Sequence, residues 1–124
     1  MITLDIPTEP RWVELPHGVS VRVRPVTTAV IVAAQSAARR AMEEVPEADR
    51  SDAALMAGLG FASLVEALAR YAIVEWRGVS DAAGQPLDLT PDRAALLMRH
   101  EEMATAFFDA VYRPLRALAA EGNA

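Results

Sequence analysis

The chain has no cysteine and no lysine, and aromatic residues make up only 6% of its 124 positions. Without cysteine there is no disulfide framework, no thiolate nucleophile and no cysteine-based zinc site. Without lysine every cation is an arginine, and in an alanine-rich chain this reads as a composition bias rather than a functional choice. The N-terminal "MITLDIPTEP" has neither a basic start nor an apolar core, so no secretory signal is expected there. Glu66, Arg70 and Glu75 interrupt the longest apolar stretches. No membrane span is expected, and the reading is of a soluble, cytoplasmic protein.

Acids outnumber bases, 17 Asp+Glu against 12 Arg, for a net charge of −5. A nucleic-acid binder carries a basic face, and this balance offers none. Hydrophobic residues reach 52%, enough for one globular domain spanning 1–124. Much of that share is alanine, which packs closely but buries little area, so a homo-oligomer or partner would help stabilise the fold.

The first 25 residues differ in rhythm from the rest. Val19, Val21 and Val23 alternate with Ser20, Arg22 and Arg24, the period of a half-buried strand. "RWVEL" supplies a partner strand and Pro16-His17-Gly18 the turn. Ile2, Leu4 and Ile6 alternate as well, so a third short strand is an option. An isolated hairpin is marginal, and its valine face should pack on a helix.

From residue 27 to about 121 the period is helical. Thr27 or Thr28 caps a first helix that Pro46 stops. Its apolar positions are Val30, Ala34, Ala37, Ala41 and Val45, and Arg39, Arg40, Glu43 and Glu44 are spaced for i,i+4 pairs. "PEADRSD" is a polar linker. A second helix, from about Asp52 to Trp76, is apolar nearly all round and reads as the buried centre of a bundle. Glu66 and Arg70 are spaced to pair along it, and Gly58 and Gly60 either admit a close neighbour or loosen its first turns.

Thr90-Pro91-Asp92 opens a third helix with a hydroxyl cap, a proline at the first position and an acid at the positive dipole end. It should falter near Arg99-His100. A fourth helix follows from about Glu101, with a kink at Pro114 and an end at Gly122-Asn123. The fold class is therefore mainly α: a bundle of about four helices with an N-terminal β-hairpin.

No arrangement for catalysis, metal or cofactor binding stands out. His17 and His100 show no metal-ligand spacing. Glu43-Glu44 and Glu101-Glu102 are neighbours whose side chains diverge by about 100° on a helix. Ser63 has no nucleophile-elbow setting, and Asp81 and Asp88 do not make a calcium loop. An enzyme is not expected.

One stretch is more specific. "WRGVSDAAGQPLDLTPD" runs from a tryptophan through an Asp/Gly turn and Pro-Leu into a capped helix. This joint, with the preceding hairpin "RWVELPHGVSVRVRP", resembles the tail assembly chaperones of long-tailed phages. Similar proteins occur in prophages and gene transfer agents. The matching features are Trp76, Gly78, Val79, Asp81, Gly84, Pro86, Leu87, Thr90, Gly122 and Asn123; a proline that often opens the family's last helix is missing near His100. Physically, Trp76 and Val79 would clasp the helix end, Gly78 and Gly84 would permit backbone conformations that other residues resist, and Pro86-Leu87 would aim the chain at the Thr90 cap.

The resemblance implies a non-enzymatic assembly factor that binds the tape-measure protein, with the tail tube protein as a further candidate partner. It would act in the cytoplasm of the bacterial host and be absent from the finished particle. The alternative is a head–tail connector or tail-completion component that stays in the particle. Helix-in-groove binding would shield apolar stripes on the partner. The expected contact surface is the last helix, through Phe107, Phe108, Val111, Leu115 and Leu118, because two adjacent phenylalanines cannot point the same way.

Overall fold

The computed structural model describes residues 7–115 together with Met1 and Leu4. Strand β1 (Arg11–Glu14) turns through Pro16–Gly18 into β2 (Ser20–Val23). Then come α1 (Thr28–Glu43), α2 (Ala53–Ala72), β3 (Ile73–Arg77), α3 (Pro91–Leu97) and α4 (Glu101–Val111). The expected class holds: four helices and a small antiparallel sheet. The alternative strand at Ile2, Leu4 and Ile6 rests mainly on residues outside the described set; Leu4 itself is exposed and in no strand.

The hairpin forms as the valine alternation requires. Val13 pairs with Val21, and Val13, Val21 and Val23 are all buried. The left-handed backbone of His17 (φ 61°) and Gly18 (φ 73°) closes the turn. The sheet has three strands, however, in the order β1-β2-β3. Its third member is the Ile73–Arg77 segment, which the helical reading had assigned to the end of α2. The helix stops at Ala72 and the chain enters the strand directly: Ile73 has extended backbone (φ −75°, ψ 120°) while its N–H still bonds to Ala69. Two causes favour the switch. Ile73 and Val74 are β-branched, and β2 would otherwise present an unpaired edge that β3 satisfies. Trp76 therefore sits on a strand opposite Val21.

Thr27 is the cap of α1, and its hydroxyl accepts from the Val30 N–H at 3.4 Å. Asp52 caps α2 by accepting from Leu55 at 3.0 Å. The two helices pack side by side, with the Met42 side chain against Gly60. Among the described residues the i,i+4 ion pairs expected on α1 are not formed. Nor do Glu66 and Arg70 pair with each other: Glu66 meets Arg99 at 3.4 Å, and Arg70 bonds to Asp92. Both acids and both arginines thus tie α2 to α3 or to the turn behind it.

The core lies between the inner face of the sheet, the second half of α2, and α3 with α4. Phe107, Leu68, Val21 and Val65 are its largest fully buried side chains. Contrary to the expectation of a wholly buried central helix, the fully buried residues of α2 all lie in its C-terminal half; Val65, Ala67, Leu68, Ala69 and Ala72 are buried, whereas Leu55 and Phe61 are exposed. By length and composition α2 could cross a membrane, with a mean hydropathy of 1.4 over 18 residues, yet its second half is packed into the domain.

Candidate functional site

The joint between β3 and α3 is built as a tied loop. Gly78 and Gly84 adopt left-handed backbone (φ 83° and 80°). An isolated bridge pairs Ser80 with Pro86, the Leu87 N–H reaches the Val79 carbonyl at 3.1 Å, and the Asp81 N–H reaches Gln85 at 2.9 Å. Asp81 also turns its carboxylate inward, where Oδ1 accepts from the N–H groups of Ala83 and Gln85, each at 2.9 Å. A carboxylate that accepts two backbone donors holds a turn more firmly than a hydroxyl would.

Trp76 fastens this loop to the sheet. Its indole Nε1 donates to the Leu87 carbonyl at 2.9 Å, and its ring packs against the core. Both tryptophans are half-buried. They differ in what they touch: Trp12 lies on the outer face of the sheet beneath the Arg77 guanidinium, 4.0 Å from ring centre to Arg77 Cζ. Downstream, the Thr90 hydroxyl accepts from Arg93 at 3.1 Å and caps α3 as its sequence requires.

The joint frames a cleft of about 550 Å³. Val19, Val79, Leu97 and Met103 form its apolar floor, and His17, His100, Glu101 and Glu102 its polar rim. The two histidines stand far apart in sequence, and only the fold brings them to one cavity. His17 Nε2 donates to Glu102 at 2.7 Å, which links the hairpin turn to the first turn of α4. Both acids sit at the positive dipole end of α4. The acidic wall continues past Glu101 and Glu102 to Asp109, which is itself paired with Arg113 at 3.0 Å. Among the described residues no group of three or more acidic or histidine side chains converges as a metal site.

The α4 residues expected to meet a partner fall in different places. Phe107 is completely buried and Val111 is 4% exposed, so both serve the core. Phe108 is half-buried and sits between Phe61 (edge to face, 5.2 Å) and Tyr112 (5.1 Å). Leu115 is half-buried beyond Pro114, and Leu118, like Gly122 and Asn123, lies outside the described residues. Adjacent phenylalanines do diverge, but both find cover within the chain. The cleft itself had no signal in the sequence beyond its two histidines.

This architecture is a mainly helical domain braced by a small sheet, with a rigid joint beside an acidic-rimmed cleft. The chain belongs to a prophage family, that of the YdaY prophage protein, whose model matches residues 29–122. The match covers α1 to α4 and the whole joint, and begins after the hairpin. No significant match is found among curated proteins or solved structures.

Proposed function

We propose that this prophage protein is a tail assembly chaperone that binds the helical tape-measure protein in the cleft beside the joint. The observation that carries this reading is the pairing of an apolar floor with an acidic rim on a rigid frame. A volume of about 550 Å³ falls within the ordinary range for a recognition pocket and accepts one or two large side chains. A helix offering apolar residues with arginine or lysine one turn away would satisfy floor and rim together. The resemblance of the joint to such chaperones and the prophage family both support this assignment.

The test is co-expression of the full chain with a cognate tape-measure protein, followed by co-purification. Reversing the rim with Glu101→Lys and Glu102→Lys should reduce recovery of the partner at least tenfold while the helical circular dichroism is unchanged. Undiminished recovery would remove the cleft from consideration. Persistence of the chain in finished particles would favour a structural tail component instead.

A further inference from the structure

One residue at the rim of the cleft is held in a backbone conformation that its side-chain type does not favour. Among the described residues His17 is the only non-glycine with positive φ (61°, with ψ 30°). Glycine adopts this left-handed conformation freely, and residues with a Cβ seldom do. The turn around it sets that conformation. Pro16 precedes it, Gly18 follows at φ 73°, and the Val19 N–H closes on the Pro16 carbonyl at 3.3 Å. The backbone of Gly18 in turn abuts Gly78. A glycine at position 17 would satisfy the same turn without the steric demand. The imidazole is the feature to be explained.

That imidazole does little for the fold. It bonds to Glu102 Oε2, and the two side chains are 70% and 68% exposed. A pair so open to water contributes little to stability, and neither residue belongs to the buried core. What the contact does is fix a carboxylate. Glu102 lines the cleft and also a second groove, with Pro16, Thr105 and Asp109. A glutamate has three rotatable side-chain bonds and would otherwise spread between the two. With Nε2–H on Oε2 it is held between the hairpin turn and the first turn of α4, while Oε1 makes no hydrogen bond among the described residues. The adjacent Glu101 has no such tie among them, so the two neighbouring acids are not equivalent. We infer that His17 is a positioning residue of the cleft, holding the Glu102 carboxylate so that Oε1 receives a cationic side chain of the bound partner. The inference rests on the reading of the cleft as a site for a helix that carries arginine or lysine. A carboxylate ordered beforehand need not be ordered during association, which for one such side chain is a gain in affinity of about three- to tenfold.

The test measures stability and affinity on the same full-chain variants, with a cognate tape-measure protein as the probe. His17→Gly relieves the backbone and releases Glu102. Its Tm should equal or exceed that of the wild type, while its affinity falls by about three- to tenfold. His17→Gln offers an amide donor of similar reach and should recover most of that loss. In double-mutant cycles the effect of His17→Gly should vanish in a Glu102→Gln background and persist in a Glu101→Gln one. A His17→Gly chain that binds like the wild type, or equal losses in the two backgrounds, overturns the inference and leaves the cleft reading standing. A fall in Tm without loss of affinity makes His17 a strut of the fold, and overturns it as well. If the wild type does not bind, or if Glu101→Gln and Glu102→Gln both bind as the wild type does, the cleft reading fails and this inference with it.

Discussion

Gly78 stands so close to Gly18 that a Cβ on it would lie 2.3 Å from the Gly18 carbonyl oxygen. The hairpin turn and the joint are thus held in backbone contact, and no side chain fits between them. Gly78 also has φ 83°, a conformation that costs other residues about 1–2 kcal/mol. Gly78→Ala should therefore destabilise by more than about 2 kcal/mol, strain and overlap acting together. Gly84→Ala has the same backbone demand (φ 80°) but open space around it. It should cost only about 1–2 kcal/mol, that of the backbone conformation. Urea unfolding of both variants checks the difference; equal losses would mean that the close approach carries no energy.

Trp76 combines ring packing with one hydrogen bond, and two substitutions separate them. Trp76→Phe retains most of the ring and leaves the Leu87 carbonyl without its donor, for a loss of about 1 kcal/mol. Trp76→Ala removes both. Half-burial places its cost below the 3–5 kcal/mol of a fully enclosed aromatic, at roughly 2–3 kcal/mol. Chemical denaturation would measure both, and a Trp76→Ala midpoint equal to wild type would refute the anchoring role.

The two adjacent phenylalanines should respond unequally. Phe107→Ala opens a cavity at the centre of the core and should cost about 3–5 kcal/mol. Phe108→Ala breaks two aromatic contacts at a half-buried position and should cost about 1–2 kcal/mol. Thermal melts followed by circular dichroism would rank them. A larger loss at Phe108 would place the core on the other face of α4.

The elements most legible in the sequence are those whose signals are local. Alternating valines define the hairpin, Thr27 and Thr90 define two helix starts, and the glycines of the joint have the backbone they were expected to have. The error at β3 arose because Ile73 to Trp76 continues an apolar run without a glycine or proline to mark a boundary. Its only sign was a pair of β-branched residues; the decisive term, the free edge of β2, belongs to the fold. The ion pairs were misread for the same reason: Glu66 and Arg70 find partners on another element rather than along their own helix. The cleft was illegible because its walls come from four separate segments, and nothing in a linear pattern joins His17 to His100.

The central place of β2 in the sheet governs when the molecule can be completed. Its partner β1 precedes it by a few residues, whereas β3 follows about fifty positions later. During synthesis the hairpin must wait, half-paired and marginal by itself, until residue 77 has cleared the ribosome. Helices α1 and α2 are joined by residues 44–52 and can associate in that interval, since nearby segments close at little entropic cost. Their meeting then delivers β3 to the waiting edge, because α2 runs into that strand without a loop. The longest-range pairing in the sheet is thereby reduced to the docking of one preassembled helical pair.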